Sequence, residues 1–423
     1  MSQTTGCCAA LPPTLAAPTS QRLPNGVDLV SLALPEAPLV CLDFWCRAGS
    51  VFEQPGESGM AHFLEHMVFK GSDHLAPGEF DWRIEALGGS SNAATGFDDV
   101  HFHVLIHPEA APTALDLLLE LVLSPRLDAE AFAMERQVVL EELAQSEDQP
   151  EEVALQRLLE LACPEHPYSH PILGRRQALL HHAPDSMADF HRRLYGGGRC
   201  ALAVSGAVEE ALLERALQGR LNSLAPNVEP PPRPPLKVHP GEHRLVVPRL
   251  EAARLLMAWW QPPAHNLEAI MGSDLATTVL AEGRRSRLVE RLREELRLVE
   301  SIDLDLHGME CGSLALLEAV CGTEDLPAVR KAIHAVWREV MERPTAEEEW
   351  VRARRLVSNS YRFGLESASG VAGLIGSSRL WSRDPSLDAP LRMLERWTPD
   401  RLQQEALASL NPEHACVLEA VPE

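Results

Sequence analysis

The run His62-Phe63-Leu64-Glu65-His66 combines side chains whose types and spacing could activate water. On a helix, residues four apart share a face, so His62 and His66 would turn two imidazoles toward one point. Neutral imidazoles hold zinc, and the neighbouring carboxylate of Glu65 would serve as a general base. The order H-x-x-E-H inverts the H-E-x-x-H arrangement and points to hydrolysis of a peptide bond.

Such a zinc needs a third protein ligand and an open position. The best source is Glu135-Arg136-Gln137-Val138-Val139-Leu140-Glu141-Glu142. Glu135 and Glu142 are seven apart and share a helix face, with Val138 and Val139 between them. Carboxylates among valines are expected to be buried and to need a metal or N–H donors. The competing reading is a solvated acidic helix end, since Glu141, Glu147 and Asp148 lie close by.

The elements that must position these groups can be read nearby. Ser58 is the expected N-cap of the motif helix, and Lys70-Gly71 its basic last turn and stop. Met60, Phe63, Leu64, Met67 and Val68 form a stripe that would face the core, with His62, Glu65, His66 and Phe69 on the adjoining face.

Together these segments resemble the pitrilysin, insulinase and mitochondrial-processing-peptidase family of inverted-motif zinc peptidases. The resemblance extends through Ala48-Gly49-Ser50, Glu53, Gly59-Met60-Ala61 and Met67-Val68-Phe69-Lys70-Gly71. It continues at Gly88-Gly89 with Asn92-Ala93-Ala94-Thr95, then at His166-Pro167-Tyr168, Pro171 and Gly174. It implies an α+β fold of two homologous domains, each a mainly antiparallel sheet with packed helices, forming one half of a clamshell. It implies one zinc ion per chain, held by His62, His66 and Glu142, with Glu65 as the base and Glu135 as a supporting catalytic carboxylate. Asn92, Ala93 and Thr95 would lie on an edge strand that binds substrate.

One position departs from the pattern. The family's second half supplies an arginine and, seven residues later, a tyrosine that bind substrate and stabilise the oxyanion. Arg293 fits the arginine, but Glu300 stands at the tyrosine position. A phenol donates a hydrogen bond to developing negative charge, whereas an ionised carboxylate can only accept one. The expectation is a zinc-carrying subunit whose homologous partner contributes the arginine–tyrosine pair, with a homodimer as the other assembly. The competing function is a non-catalytic structural subunit of the same fold in a larger complex.

Composition agrees with a peptidase acting on peptide substrates. The chain has 423 residues, room for two or three domains. A formal net charge of −23 argues against a nucleic-acid partner. Met1–Ala17 lacks a basic n-region and a continuous apolar stretch, and no segment approaches a membrane span. Nine scattered cysteines without C-x-x-C pairs fit reduced thiols, hence a cytoplasmic expectation.

Along the chain, residues 1–20 read as a flexible leader and 21–224 as the zinc-binding catalytic domain. The proline-rich stretch 225–241 reads as a linker, and 242–423 as the second α+β domain. Leu23–Cys46 reads as a β-hairpin with an Asn25-Gly26 turn ahead of its first strand. Val100–Ile106 reads as a strand with His101 and His103 on one face, packing against the sheet for want of a nearby carboxylate. The histidines at 181, 182 and 191 are expected to face solvent. Helical patterns cover 109–147, 151–162, 266–297, 325–343 and 345–362, and Leu255–Trp260 reads as a strand.

Overall fold

The computed structural model describes residues 17–226 and 233–423, so most of the expected leader and part of the linker lie outside it. Its first half contains β1 (Thr19–Arg22), β2 (Asp28–Ala33), β3 (Val40–Cys46), β4 (Ser90–Thr95), β5 (Val100–Ile106) and β6 (Cys200–Gly206). Its second half contains β7 (Gly241–Val246), β8 (Ala253–Gln261), β9 (Ser301–His307), β10 (Ser313–Cys321) and β11 (Cys416–Val421). Thr19 and Ser20, read as leader, already pair with Ser31 and Val30.

The first sheet has the order β1-β2-β6-β3-β5-β4 and the second β7-β11-β8-β10-β9. Setting β1 aside, the two orders coincide strand for strand, and each has one parallel pair, β2 with β6 and β7 with β11. The halves are therefore two copies of one α+β topology, a repetition too faint to read in the residues themselves.

The hairpin expected over 23–46 does not form. β6 runs between β2 and β3, parallel to the first and antiparallel to the second. Local alternation identified both strands, but a strand that begins only at Cys200 took the position between them. The real hairpin partner of β2 is β1, across the turn where Gly26 adopts φ +95°.

Helices α1 (Met60–Val68), α2 (Glu79–Ala86), α3 (Ala111–Leu123), α4 (Ala129–Glu147), α5 (Pro150–Ala162), α6 (Arg176–His181), α7 (Pro184–Leu194) and α8 (Glu210–Gln218) belong to the first half. The second half has α9 (Leu267–Ala281), α10 (Leu326–Glu342), α11 (Glu347–Gly364) and α12 (Ala368–Leu380). The helical stretch expected over 109–147 is two helices, interrupted at Ser124-Pro125, because the residue before a proline resists helical geometry.

Every residue of β3 and β6 is buried, so both faces of the first sheet are covered there. On one face lies the main core, where Phe44, Phe102 and Val104 meet Phe63, Leu64, Met67, Leu115 and Leu118. On the other face lies α12, whose Val371, Ala372 and Ile375 pack on Val30, Leu32, Cys41 and Ala203. The second sheet mirrors this, with Ala154, Leu158 and Ala162 of α5 packed on Leu256, Ala258 and Leu418. Each half thus lends its third helix between the fourth and fifth shared strands to the other half's sheet.

Candidate active site

The stripe Met60, Phe63, Leu64, Met67 and Val68 is buried as expected and fixes the rotation of α1 about its axis. Ser58 is not its cap; the Ser58 hydroxyl accepts from the Arg175 N–H instead. The α1 N-terminus is satisfied by Glu53, whose carboxylate accepts from the N–H groups of Gly59 and Ala61. Burial pushes that carboxyl up to about 8 despite the two donors. Gly59 turns the chain at φ +83° and lies so close to Gly174 that a Cβ at Gly174 would stand 2.4 Å from the Gly59 Cα. That contact explains why two glycines far apart in sequence belong to one local structure.

With α1 so held and α4 packed against it, His62, His66 and Glu142 converge. The Glu142 Oε2 lies 3.7 Å from His62 Nε2 and 3.3 Å from His66 Nε2. A tetrahedral ion with bonds of about 2.1 Å sets its ligand atoms roughly 3.4 Å apart, so both spacings from Glu142 suit zinc, and all three ligand atoms lie within 4.8 Å of one another. Two imidazoles and one carboxylate are also the ligand chemistry of open zinc sites. Glu142 is half-exposed and Val138 is exposed, so the expected burial of both carboxylates among valines holds for Glu135 alone.

Glu135 stands behind the ligands. Its Oε1 is 2.9 Å from His66 Nδ1 and its Oε2 is 2.6 Å from Lys70 Nζ. Burial pushes its carboxyl up, but the His66 and Lys70 contacts win and hold it below the usual range. Burial pulls His66 down, yet the hydrogen bond to Glu135 and the nearby carboxylates outweigh it and raise the imidazole. His62 is brought down to about 4 by burial and by His66 beside it. Lys70 was expected to serve the helix terminus. Its spacing of four from His66 is the signal that it could share the same partner.

Glu65 accepts a hydrogen bond from the Thr95 hydroxyl, and burial raises it above the ordinary carboxylate range. Thr95 lies on β4, the outermost strand of its sheet, so the base is tethered to a strand whose outer edge is unpaired among the described residues. Ala93 shares the Thr95 face, whereas Asn92 and Ala94 point to the opposite, exposed face. Asn92 Oδ1 accepts from the Ala93 N–H.

The structure does not bring Arg293 to this cluster. It lies in a π-helical turn, Val289–Glu295, where its guanidinium binds Glu294. Glu300 is exposed just before β9. Among the described residues, every cluster able to hold a metal lies in the first half.

Other expectations about histidines are corrected. His182 is buried with Nε2 3.0 Å from the Ser58 carbonyl, and His191 is 2.9 Å from the Val122 carbonyl; His181 alone of the three is exposed. Asp43 lies opposite His103 and 2.9 Å from His101 Nδ1, so the carboxylate thought missing there is supplied by β3. Periodicity along β5 could not reveal a residue on another strand. Tyr168 sits at the junction of the halves, with its hydroxyl donating to Asp98 and accepting from the Cys311 N–H.

Comparison with known proteins defines the class. Residues 29–176 match the family model "Insulinase (Peptidase family M16)", and residues 183–357 match "Peptidase M16 inactive domain". The chain belongs to peptidase family M16. It is 27% identical over 401 residues to an uncharacterized zinc protease of Mycobacterium bovis, covering 93% of this chain and 91% of that protein. It is 30% identical over 197 residues to a probable mitochondrial-processing peptidase subunit beta of Arabidopsis thaliana, covering 46% and 37% of the two chains. A protease from Helicobacter pylori shares the fold with a TM-score of 0.87 at 24% identity, covering 96% of this chain and 99% of its own. A Pseudomonas fluorescens structure titled as a peptidase M16 inactive domain also reaches 0.87, at 18% identity and with 96% and 98% covered.

Proposed function

We propose that this chain is a zinc-dependent endopeptidase and the zinc-carrying half of a two-chain enzyme that cuts peptides or unfolded segments inside a chamber. The convergence of His62, His66 and Glu142 beside Glu65 carries the reading. Zinc held by those three ligands would polarise the scissile carbonyl and make water acidic enough to attack at neutral pH. Glu65 takes the proton of the attacking water and delivers it to the leaving amine, a role favoured by its raised pKa. Thr95 fixes one Glu65 oxygen, leaving the other for that proton. The outer edge of β4 pairs with an extended substrate backbone, giving affinity with loose sequence preference.

The need for a partner rests on the second half. Arg293 is engaged by Glu294, and Glu300 offers no hydrogen to an oxyanion, so a homologous subunit supplies the arginine–tyrosine pair. Similarity to a protein named as a beta subunit supports this assembly. The buried free thiols Cys41, Cys46, Cys163, Cys200, Cys321 and Cys416 support a reducing, cytoplasmic setting. Among the described residues no helix is long and apolar enough to cross a membrane. A non-catalytic structural role is the second reading, favoured by Glu300 and disfavoured by the filled ligand set.

The test is to incubate the zinc-loaded chain, alone, with a mixed-length peptide library and to read cleavage by mass spectrometry. Bound zinc without cleavage supports half an enzyme. Cleavage by the chain alone that vanishes in Glu65→Gln keeps the peptidase and discards the need for a different partner. Failure to bind zinc sinks the metal centre.

A further inference from the structure

A second set of ligating groups lies on the opposite face of the first sheet. His101 and His103 are two apart on β5, so both project from the face opposite Phe102 and Val104, which pack toward α1. Asp43 is directly across from His103 on β3, and its side chain shares their face. One ligand atom from each of the three lies within 4.8 Å of the others. His101 Nδ1 already meets Asp43 Oδ1 at 2.9 Å. The Trp45 ring stacks on His101 with centroids 4.2 Å apart and planes 12° apart, fixing the imidazole plane.

A simple His–Asp hydrogen bond does not account for this group, because it leaves His103 idle. The Nδ1 of His103 is shielded from water and has no hydrogen-bond partner among the described residues. Leaving a buried polar atom unsatisfied is costly, so a chain that keeps one there gains if something binds it. Asp43 is buried as well, at 2% exposure, and a buried carboxylate is stable beside positive charge. The mouth of the group is open, since Asn92 and Ala94, the β4 neighbours of His103 and His101, are exposed.

We propose that Asp43, His101 and His103 form a second metal site, for a divalent transition-metal cation, separate from the zinc centre on the α1 side of the sheet. Two imidazoles and one carboxylate suit zinc, nickel or copper and not calcium or magnesium, which prefer all-oxygen ligands. A small turn of the His103 ring brings its unpaired nitrogen to the ion, and water completes the coordination from the open side. The proposal does not depend on the peptidase reading.

The full chain, stripped by chelator dialysis, is titrated with Zn2+ by calorimetry and with Co2+ by visible absorption. Two ions per chain are expected for the unaltered protein, one for His66→Ala, one for His103→Ala and none for the double variant. A single ion that disappears with His66→Ala would overturn the proposal, and so would a second ion that survives His103→Ala. Crystals of the unaltered protein soaked in zinc chloride give a check free of any folding defect. An anomalous peak among Asp43, His101 and His103 is expected at the zinc edge, and its absence while the first site is filled overturns the site.

Discussion

His66 and Glu135 meet at 2.9 Å, Nδ1 to Oε1, across the contact between α1 and α4. The pair orients the imidazole and leaves its Nε2 free to face Glu142. Glu135→Gln removes the anionic partner of both His66 and Lys70. We expect zinc affinity to fall by about 10–100-fold, measured by competition with a chromogenic chelator. An unchanged affinity would mean that Glu135 is a bystander.

The Tyr168 hydroxyl joins the halves at Asp98 and at the Cys311 N–H, with contacts of 2.6 Å and 3.1 Å. Tyr168→Phe leaves a buried carboxylate and a backbone donor each short of a partner. A loss of about 2–3 kcal/mol is expected in urea unfolding, with zinc binding retained. A loss of zinc with unchanged stability would contradict a purely junctional role.

The same junction makes stability depend on pH. Burial pushes Glu310 up to about 7 and Asp99 up to about 6, against the pull of Arg383 on the first and of Trp381 on the second. In the unfolded chain such acids titrate near 4, so between there and the folded values the fold binds more protons. Stability is then full below about pH 4 for these groups and declines as pH rises through about 6 and 7. Glu310→Gln should match the unaltered protein at about pH 4 and exceed it at pH 8 by on the order of 1–3 kcal/mol. Parallel stability curves for the two proteins would refute this.

Ile375 belongs to the second half but is buried on the sheet of the first. Ile375→Ala should cost about 2–5 kcal/mol and speed hydrogen exchange in β2 and β6. If exchange quickens only in α12, the helix is a passenger on that sheet.

The site was more legible than the packing. His62, Glu65 and His66 are local, and the helical period alone puts them on one side of α1. Glu142 needed the resemblance, because spacing within α4 offers two carboxylates and does not say which reaches the metal. Asp43 was missed because cross-strand neighbours are set by register, which alternation along a single strand does not encode. The hairpin failed for the same reason, with β6 entering from far downstream. The helix read over 151–162 forms as α5, but its period is silent on which sheet it covers, and α12 lies beyond the last helical pattern read in the sequence.

That exchange of helices makes the two halves hostages of each other. Severing the backbone in the proline-rich segment would yield a nicked molecule that still travels as one particle, because each fragment carries a piece of its neighbour's interior. Neither fragment expressed alone would close its own sheet. Truncations at the apparent domain border are therefore poor reagents for dividing the labour of this chain, and co-expressed fragments are sound ones.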